Sequence, residues 1–277
     1  MSESGTSVPS REGGMLSYRE CGASGPGALV LLHSLGADGH MWDGCIDELA
    51  AHYRVIIPNT RGHGASSPTE KSSVDLWVDD LKRVLDDAAV DNAVLVGISL
   101  GGIQALAFAA AYPDRVAGLV VADSFVAITP EAASAKILHL VEQARQQSME
   151  EVAAQYIADT FEQPYPGGAL SVQRAIAAMD TASYMAAVDA CFSVQITACL
   201  AQIVAPTLVL WGDRDAKTPR PLSEQIATGM KDARLAVVPN AGHLSNVDNP
   251  DAFVTELVKF VIDRVELPAP SRAEGGN

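Results

Sequence analysis

A serine among glycines, an aspartate and a histidine occur in that order along the 277-residue chain, each shortly after an apolar run. Ser99 stands in Gly97-Ile98-Ser99-Leu100-Gly101, Asp215 in Trp211-Gly212-Asp213-Arg214-Asp215, and His243 in Asn240-Ala241-Gly242-His243-Leu244. A serine hydroxyl is a poor nucleophile unless a base takes its proton and an acid orients that base. The three residue types therefore point to acyl transfer, with Ser99 as nucleophile, His243 as base and Asp215 as acid. A GxSxG string alone arises by chance in roughly one chain in ten of this length. Here it follows Ala93-Val94-Leu95-Val96 and leads into a small-residue stretch, 101–111. That is the strand–turn–helix context in which glycines permit a sharp turn and the serine oxygen projects from the strand end.

Each residue also has a plainer reading: Ser99 as a helix cap, Asp215 as a turn residue, His243 as a loop histidine. Two further aspartates compete for the acid. Asp213 lies nearer its strand, where it would stabilise the turn, and Asp123 ends the run 118–121. Acyl transfer also needs donors aimed at the developing oxyanion. The expected donors are the backbone N–H groups of Leu100, after the nucleophile, and Leu35, in His33-Ser34-Leu35-Gly36. His33 then reads as a loop-stabilising side chain. Candidate substrate contacts are Ser34, Trp42, Phe125, Tyr165 and Met185.

The elements that must position these residues follow from the apolar pattern. Short, largely apolar runs at 28–32, 54–57, 93–96 and 118–121 read as strands buried on both faces, and 206–211 and 235–238 as further strands. Helical patterns at 74–88, 101–111, 221–230 and 250–265 alternate with them. Such alternation predicts an α/β fold with a mostly parallel sheet flanked by helices. Residues 15–123 and 201–266 make that core. Residues 124–200, rich in Ala, Gln and Met, interrupt it as an inserted cap of about four helices. Residues 1–14 read as a flexible leader and 267–277 as a disordered tail.

Composition narrows the function. With 48% hydrophobic and 19% charged residues, the chain can bury a sizeable core. A net charge of −15 argues against nucleic acid and against an anionic membrane surface. No apolar segment is long enough to span a bilayer, and no secretory signal opens the chain. Cys21, Cys45, Cys191 and Cys199 form no metal spacing and read as reduced thiols of a cytoplasmic protein. Asn59-Thr60-Arg61-Gly62-His63-Gly64 lacks the lysine of a phosphate loop, so Arg61 is expected to pair internally. Neither a cofactor nor a metal is expected, and the oligomeric state is monomer or homodimer.

The motifs at 33–36, 41–43, 61–64, 97–102, 212–215 and 241–247 together resemble the α/β-hydrolase superfamily, in register over about residues 15–265. Within it, Ser34-Leu35-Gly36-Ala37-Asp38-Gly39-His40-Met41-Trp42-Asp43 and Ala241-Gly242-His243-Leu244-Ser245-Asn246-Val247 resemble the 3-oxoadipate enol-lactonases. The resemblance implies a Ser-Asp-His triad under a helical cap and hydrolysis of a small ester or lactone. Arg145 and Arg174, the only arginines of 124–200, read as solvent-facing, and no set of residues for a substrate carboxylate stands out there. A C–C bond hydrolase or perhydrolase on the same triad, and a non-catalytic receptor, are the alternatives. Dehalogenase and epoxide-hydrolase chemistry is excluded, because both use Asp where Ser99 stands.

Overall fold

Strands that are apolar on both faces require helices above and below the sheet, and this arrangement is present. The protein is described by a computed structural model covering residues 4–25 and 27–267. Its strands are β1 (Ser4–Pro9), β2 (Met15–Gly22), β3 (Gly27–Leu32), β4 (Arg54–Pro58), β5 (Asn92–Ile98), β6 (Val116–Ala122), β7 (Thr207–Gly212) and β8 (Ala233–Val238). They form one sheet in the order β1-β2-β4-β3-β5-β6-β7-β8. β1 and β2 pair antiparallel, as do β2 and β4; the other pairs are parallel.

The helices are α1 (Asp43–Ala50), α2 (Val74–Asp87), α3 (Leu100–Ala111), α4 (Pro130–Gln146), α5 (Met149–Thr160), α6 (Ala169–Ala177), α7 (Thr181–Phe192), α8 (Arg220–Thr228), α9 (Ser245–Asp248) and α10 (Pro250–Arg264). Alternate strand residues divide between two cores. Leu29, Leu31, Val94 and Val96 pack with Leu49 of α1 and with Phe253, Leu257 and Phe260 of α10. Val30, Leu32, Leu95 and Leu119 pack with Trp77 and Leu81 of α2, Ile103 and Phe108 of α3 and Ile226 of α8. The two-residue period of a strand is what allows one apolar run to fill both layers.

The expected flexible leader is corrected by the structure. Residues 4–9 form β1, in register with β2 from Ser4↔Glu20 to Pro9↔Met15. Without β1 the edge of β2 would expose a row of unpaired backbone groups, and pairing them needs no apolar side chains. The turn between the strands uses Gly13 and Gly14 at φ of 89° and 85°, a backbone region that other residues rarely enter. The expected tail falls, from residue 268 on, outside the described residues.

Two features of the topology place the site. The chain reverses its direction across the sheet at β3, which has β4 on one side and β5 on the other. Ligands of open α/β sheets bind outside the strands' carboxyl ends at such a point, and the loops after β3 and β5 carry Leu35 and Ser99. Between β6 and β7 the chain forms α4 to α7. The two ends of this helical segment meet at an isolated antiparallel bridge between Ala127 and Gln195. Phe125 and Phe192 stack beside it with ring centroids 6.0 Å apart.

Candidate active site

Ser99 sits at the turn from β5 into α3 with φ 53° and ψ −115°. A non-glycine residue pays strain to adopt that geometry, so the surrounding structure must enforce it. The neighbouring glycines do so by close approach. A Cβ on Gly97 would lie 2.1 Å from the Gly101 carbonyl oxygen, and one on Gly101 would lie 2.2 Å from that of Leu32. The Ser99 side chain makes no capping hydrogen bond to α3. Its hydroxyl instead lies 3.0 Å from His243 Nε2.

His243 follows β8, on the loop before α9. Its Nδ1 lies 3.1 Å from Asp215 Oδ2. Asp215 is fixed by a turn of its own chain: Oδ1 accepts from the N–H groups of Lys217 at 2.8 Å and Thr218 at 3.0 Å. The Thr218 hydroxyl donates to Oδ2. Burial works against the charge on Asp215, yet His243 and the Thr218 donors outweigh it and hold the carboxyl below its usual value. Ser99, His243 and Asp215, from three strand ends, thus form one hydrogen-bonded chain.

The competing aspartates are engaged elsewhere. Asp123 is fully buried and accepts from the N–H of Gly212 at 2.8 Å and of Ser245 at 3.2 Å. Burial, and then the charge on Asp215, push its value well up. Asp213 accepts from the Ala241 N–H at 3.1 Å. Among the described residues, Asp215 is the carboxylate that reaches His243.

Leu100 opens α3, so its N–H has no acceptor within the helix and points where the helix dipole favours negative charge. Leu35 lines the cavity that holds Ser99. The loop carrying it is fastened by His33, whose Nδ1–H donates to the Ser34 carbonyl at 2.8 Å and whose Nε2 accepts from the Thr60 N–H at 2.9 Å. Burial lowers the His33 value to about 4, so the ring is a neutral strut. Arg61 pairs internally, with two bonds of 2.6 and 2.7 Å to buried Asp80.

Above Ser99 and His243 lies a cavity of about 300 Å³, of a size for a small ligand. Of the candidate substrate contacts, Ser34 and Phe125 line it. Trp42, Tyr165 and Met185 do not. Trp42 is fully buried against Phe253, at 5.7 Å between ring centroids, and anchors α10. Tyr165 is 43% exposed on the loop before α6. On α7, Tyr184, Cys191 and Phe192 face the cavity; Met185, about 100° round the helix from Tyr184, packs on the core instead.

The sequence reading missed Tyr156, Lys136, His139, Lys217 and Thr218, all of which line the cavity. Thr218 was legible in principle, since an aspartate commonly accepts from the N–H groups two and three residues on. The others come together only through the packing of α4, α5 and the loop after β7. Among the described residues, no group of three or more His, Cys, Asp or Glu could hold a metal ion. No described helix is long and apolar enough to cross a membrane.

Comparison with known proteins places the fold in a family. The family described as the alpha/beta hydrolase family matches residues 29–256. A 3-oxoadipate enol-lactonase of Acinetobacter baylyi is 27% identical over 255 residues, which is 92% of this chain and 96% of the relative. Among solved structures, a hydrolase from Pseudomonas aeruginosa superposes with a TM-score of 0.85 at 30% identity, over 93% of this chain and 98% of the other. The enol-lactonase from Burkholderia xenovorans superposes with a TM-score of 0.84 at 25% identity, over 93% of this chain and all of that one (100%).

Proposed function

Since the chain belongs to the alpha/beta hydrolase family, we propose that it is a serine hydrolase that cleaves a small carboxylic ester or lactone, in the manner of a 3-oxoadipate enol-lactonase. The observation that carries this reading is the 3.0 Å contact between Ser99 Oγ and His243 Nε2, held at a strained turn beneath a small cavity.

The geometry supports a two-step acyl transfer. The Nδ1–H of His243 donates to the Asp215 carboxylate, which leaves Nε2 free to take the proton of Ser99. Ser99 Oγ attacks the substrate carbonyl carbon, and the N–H groups of Leu35 and Leu100 receive the oxyanion. The intermediate collapses as His243 Nε2 returns the proton to the leaving alkoxide or enolate. Water, activated by the same imidazole, then hydrolyses the acyl-enzyme. In a lactone the leaving oxygen stays tethered to the acyl chain, so the cavity must hold it away from the acyl carbon until water attacks. The names of the Acinetobacter baylyi and Burkholderia xenovorans relatives favour the lactone among the possible substrates.

Replacing Ser99 by alanine tests the reading. Ser99→Ala is expected to retain the fold, by circular dichroism, and to lose turnover of short esters and enol-lactones. A folded variant that keeps substantial activity would overturn it.

A further inference from the structure

Thr218 touches Asp215 and His243 at once. The N–H groups of Lys217 and Thr218 donate to Asp215 Oδ1 at 2.8 and 3.0 Å, which curls the chain back over the carboxylate. Pro219, extended at φ −61° and ψ 153°, ends this turn and leads into α8. The Thr218 side chain is thereby buried against the triad, at 4% exposure, and borders the cavity that holds Ser99. Its hydroxyl donates to Asp215 Oδ2, and the same oxygen lies 3.2 Å from His243 Nδ1. Nδ1 in turn lies 3.1 Å from Oδ2, so the three atoms form a triangle.

One arrangement of protons in this triangle leaves Ser99 a base. An ionised carboxylate only accepts, whereas a hydroxyl donates once and keeps two lone pairs. Burial opposes the charge on Asp215, but His243 and Thr218 hold the carboxyl below its usual value. The Thr218 proton therefore goes to Oδ2, and Nδ1 faces two acceptors and carries a proton of its own. Were the hydroxyl turned to donate to Nδ1, the ring proton would sit on Nε2, which could not then accept from Ser99. The bond to the charged carboxylate is roughly twice as strong as a neutral one and keeps the hydroxyl from turning.

We propose that Thr218 is a positioning residue for the base: its oxygen shares the Nδ1 proton of His243 with Asp215, fixing the tautomer and the ring orientation that aim Nε2 at Ser99. This rests on the serine-hydrolase reading above. The hydroxyl proton stays on Thr218 throughout; the proton that moves is that of Ser99, to Nε2 and on to the leaving oxygen. Thr218 acts through His243 and makes no bond to the reacting carbonyl.

Two substitutions separate the hydroxyl from the shape of the side chain. Thr218→Val keeps the shape and removes the hydroxyl; Thr218→Ser keeps the hydroxyl and removes the methyl group. With a short p-nitrophenyl ester, kcat is expected to fall about tenfold or more in Thr218→Val, the order of effect of a lost hydrogen bond to a charged group, with little change in KM. Thr218→Ser should recover most of the parent kcat. An active valine variant beside an impaired serine one would overturn the proposal, as would an equal loss in both or a change confined to KM. If Thr218→Val does not fold, Thr218→Ala replaces it, since alanine and serine differ here in the hydroxyl alone. The Nδ1 proton of His243 gives a readout that needs no turnover. Its downfield NMR signal, assigned by its loss in His243→Ala, should move in Thr218→Val and return to the parent position in Thr218→Ser. That result supports the positioning role even if the parent cleaves no ester, in which case the serine mechanism alone fails. A signal that stays in place without the hydroxyl would overturn the role.

Discussion

Asp123 and Asp215 are two buried carboxyl groups at the ends of neighbouring strands, and the charge on Asp215 helps push the value of Asp123 up. Asp123 spends its oxygens on the main-chain N–H groups of Gly212 and Ser245. It thereby ties the end of β7 to the loop that carries His243. Asp215 is left to meet the imidazole at 3.1 Å.

The two aspartates should therefore separate on substitution. Asp215→Asn is expected to lower kcat by about three to four orders of magnitude with a small change in KM, because the imidazole loses its orienting charge. Asp123→Asn should act mainly on stability, read as a lower urea midpoint, with kcat changed by less than about tenfold. Steady-state kinetics of the two proteins would show the roles reversed if Asp123 were the acid.

Gly97→Ala tests the elbow itself. The added Cβ would meet the Gly101 carbonyl at 2.1 Å, a backbone atom that cannot swing away. A loss of about 3 kcal/mol or more in denaturant unfolding is expected. A neutral substitution would mean that the turn is not held as tightly as the contacts imply.

The histidines behind the site should remain neutral well below pH 6.5. Burial lowers His33 to about 4, and burial together with the neighbouring His33 ring lowers His63 to about 3. Because both folded values lie below the unfolded one, the unfolded chain binds more protons between those pH values. Stability from this pair is therefore lost as pH falls from about 6.5 towards 4, by roughly 3 kcal/mol for His33 alone at pH 4. Asp123, whose folded value is raised, works in the opposite direction. The direct readout is the rings: imidazole nitrogen shifts by NMR at pH 5.5 should show both in the neutral form, and a charged ring at that pH would contradict the assignment.

Much of the fold was legible because its signals are local. The runs at 28–32 and 93–96 carry their burial in their composition, and Ser99, Asp215 and His243 each follow a strand closely enough to be placed at one edge. β1 was not legible, since its pairing uses backbone groups and residues 4–9 show no apolar alternation. Trp42 and Met185 were misplaced because an aromatic or apolar residue near a site does not reveal which way its turn or helix faces. Lys136 and Lys217 escaped notice for a different reason. They are 81 residues apart, and only the tertiary fold brings α4 and the loop after β7 to the wall of one cavity.

The most direct test of the mechanism is covalent labelling of the native enzyme with a fluorophosphonate, located by peptide mass spectrometry. The account predicts one adduct, on Ser99, formed rapidly in the parent, slowed strongly in His243→Ala and absent in Ser99→Ala. A folded parent protein that takes up no label, or that carries the adduct on another residue, would contradict it.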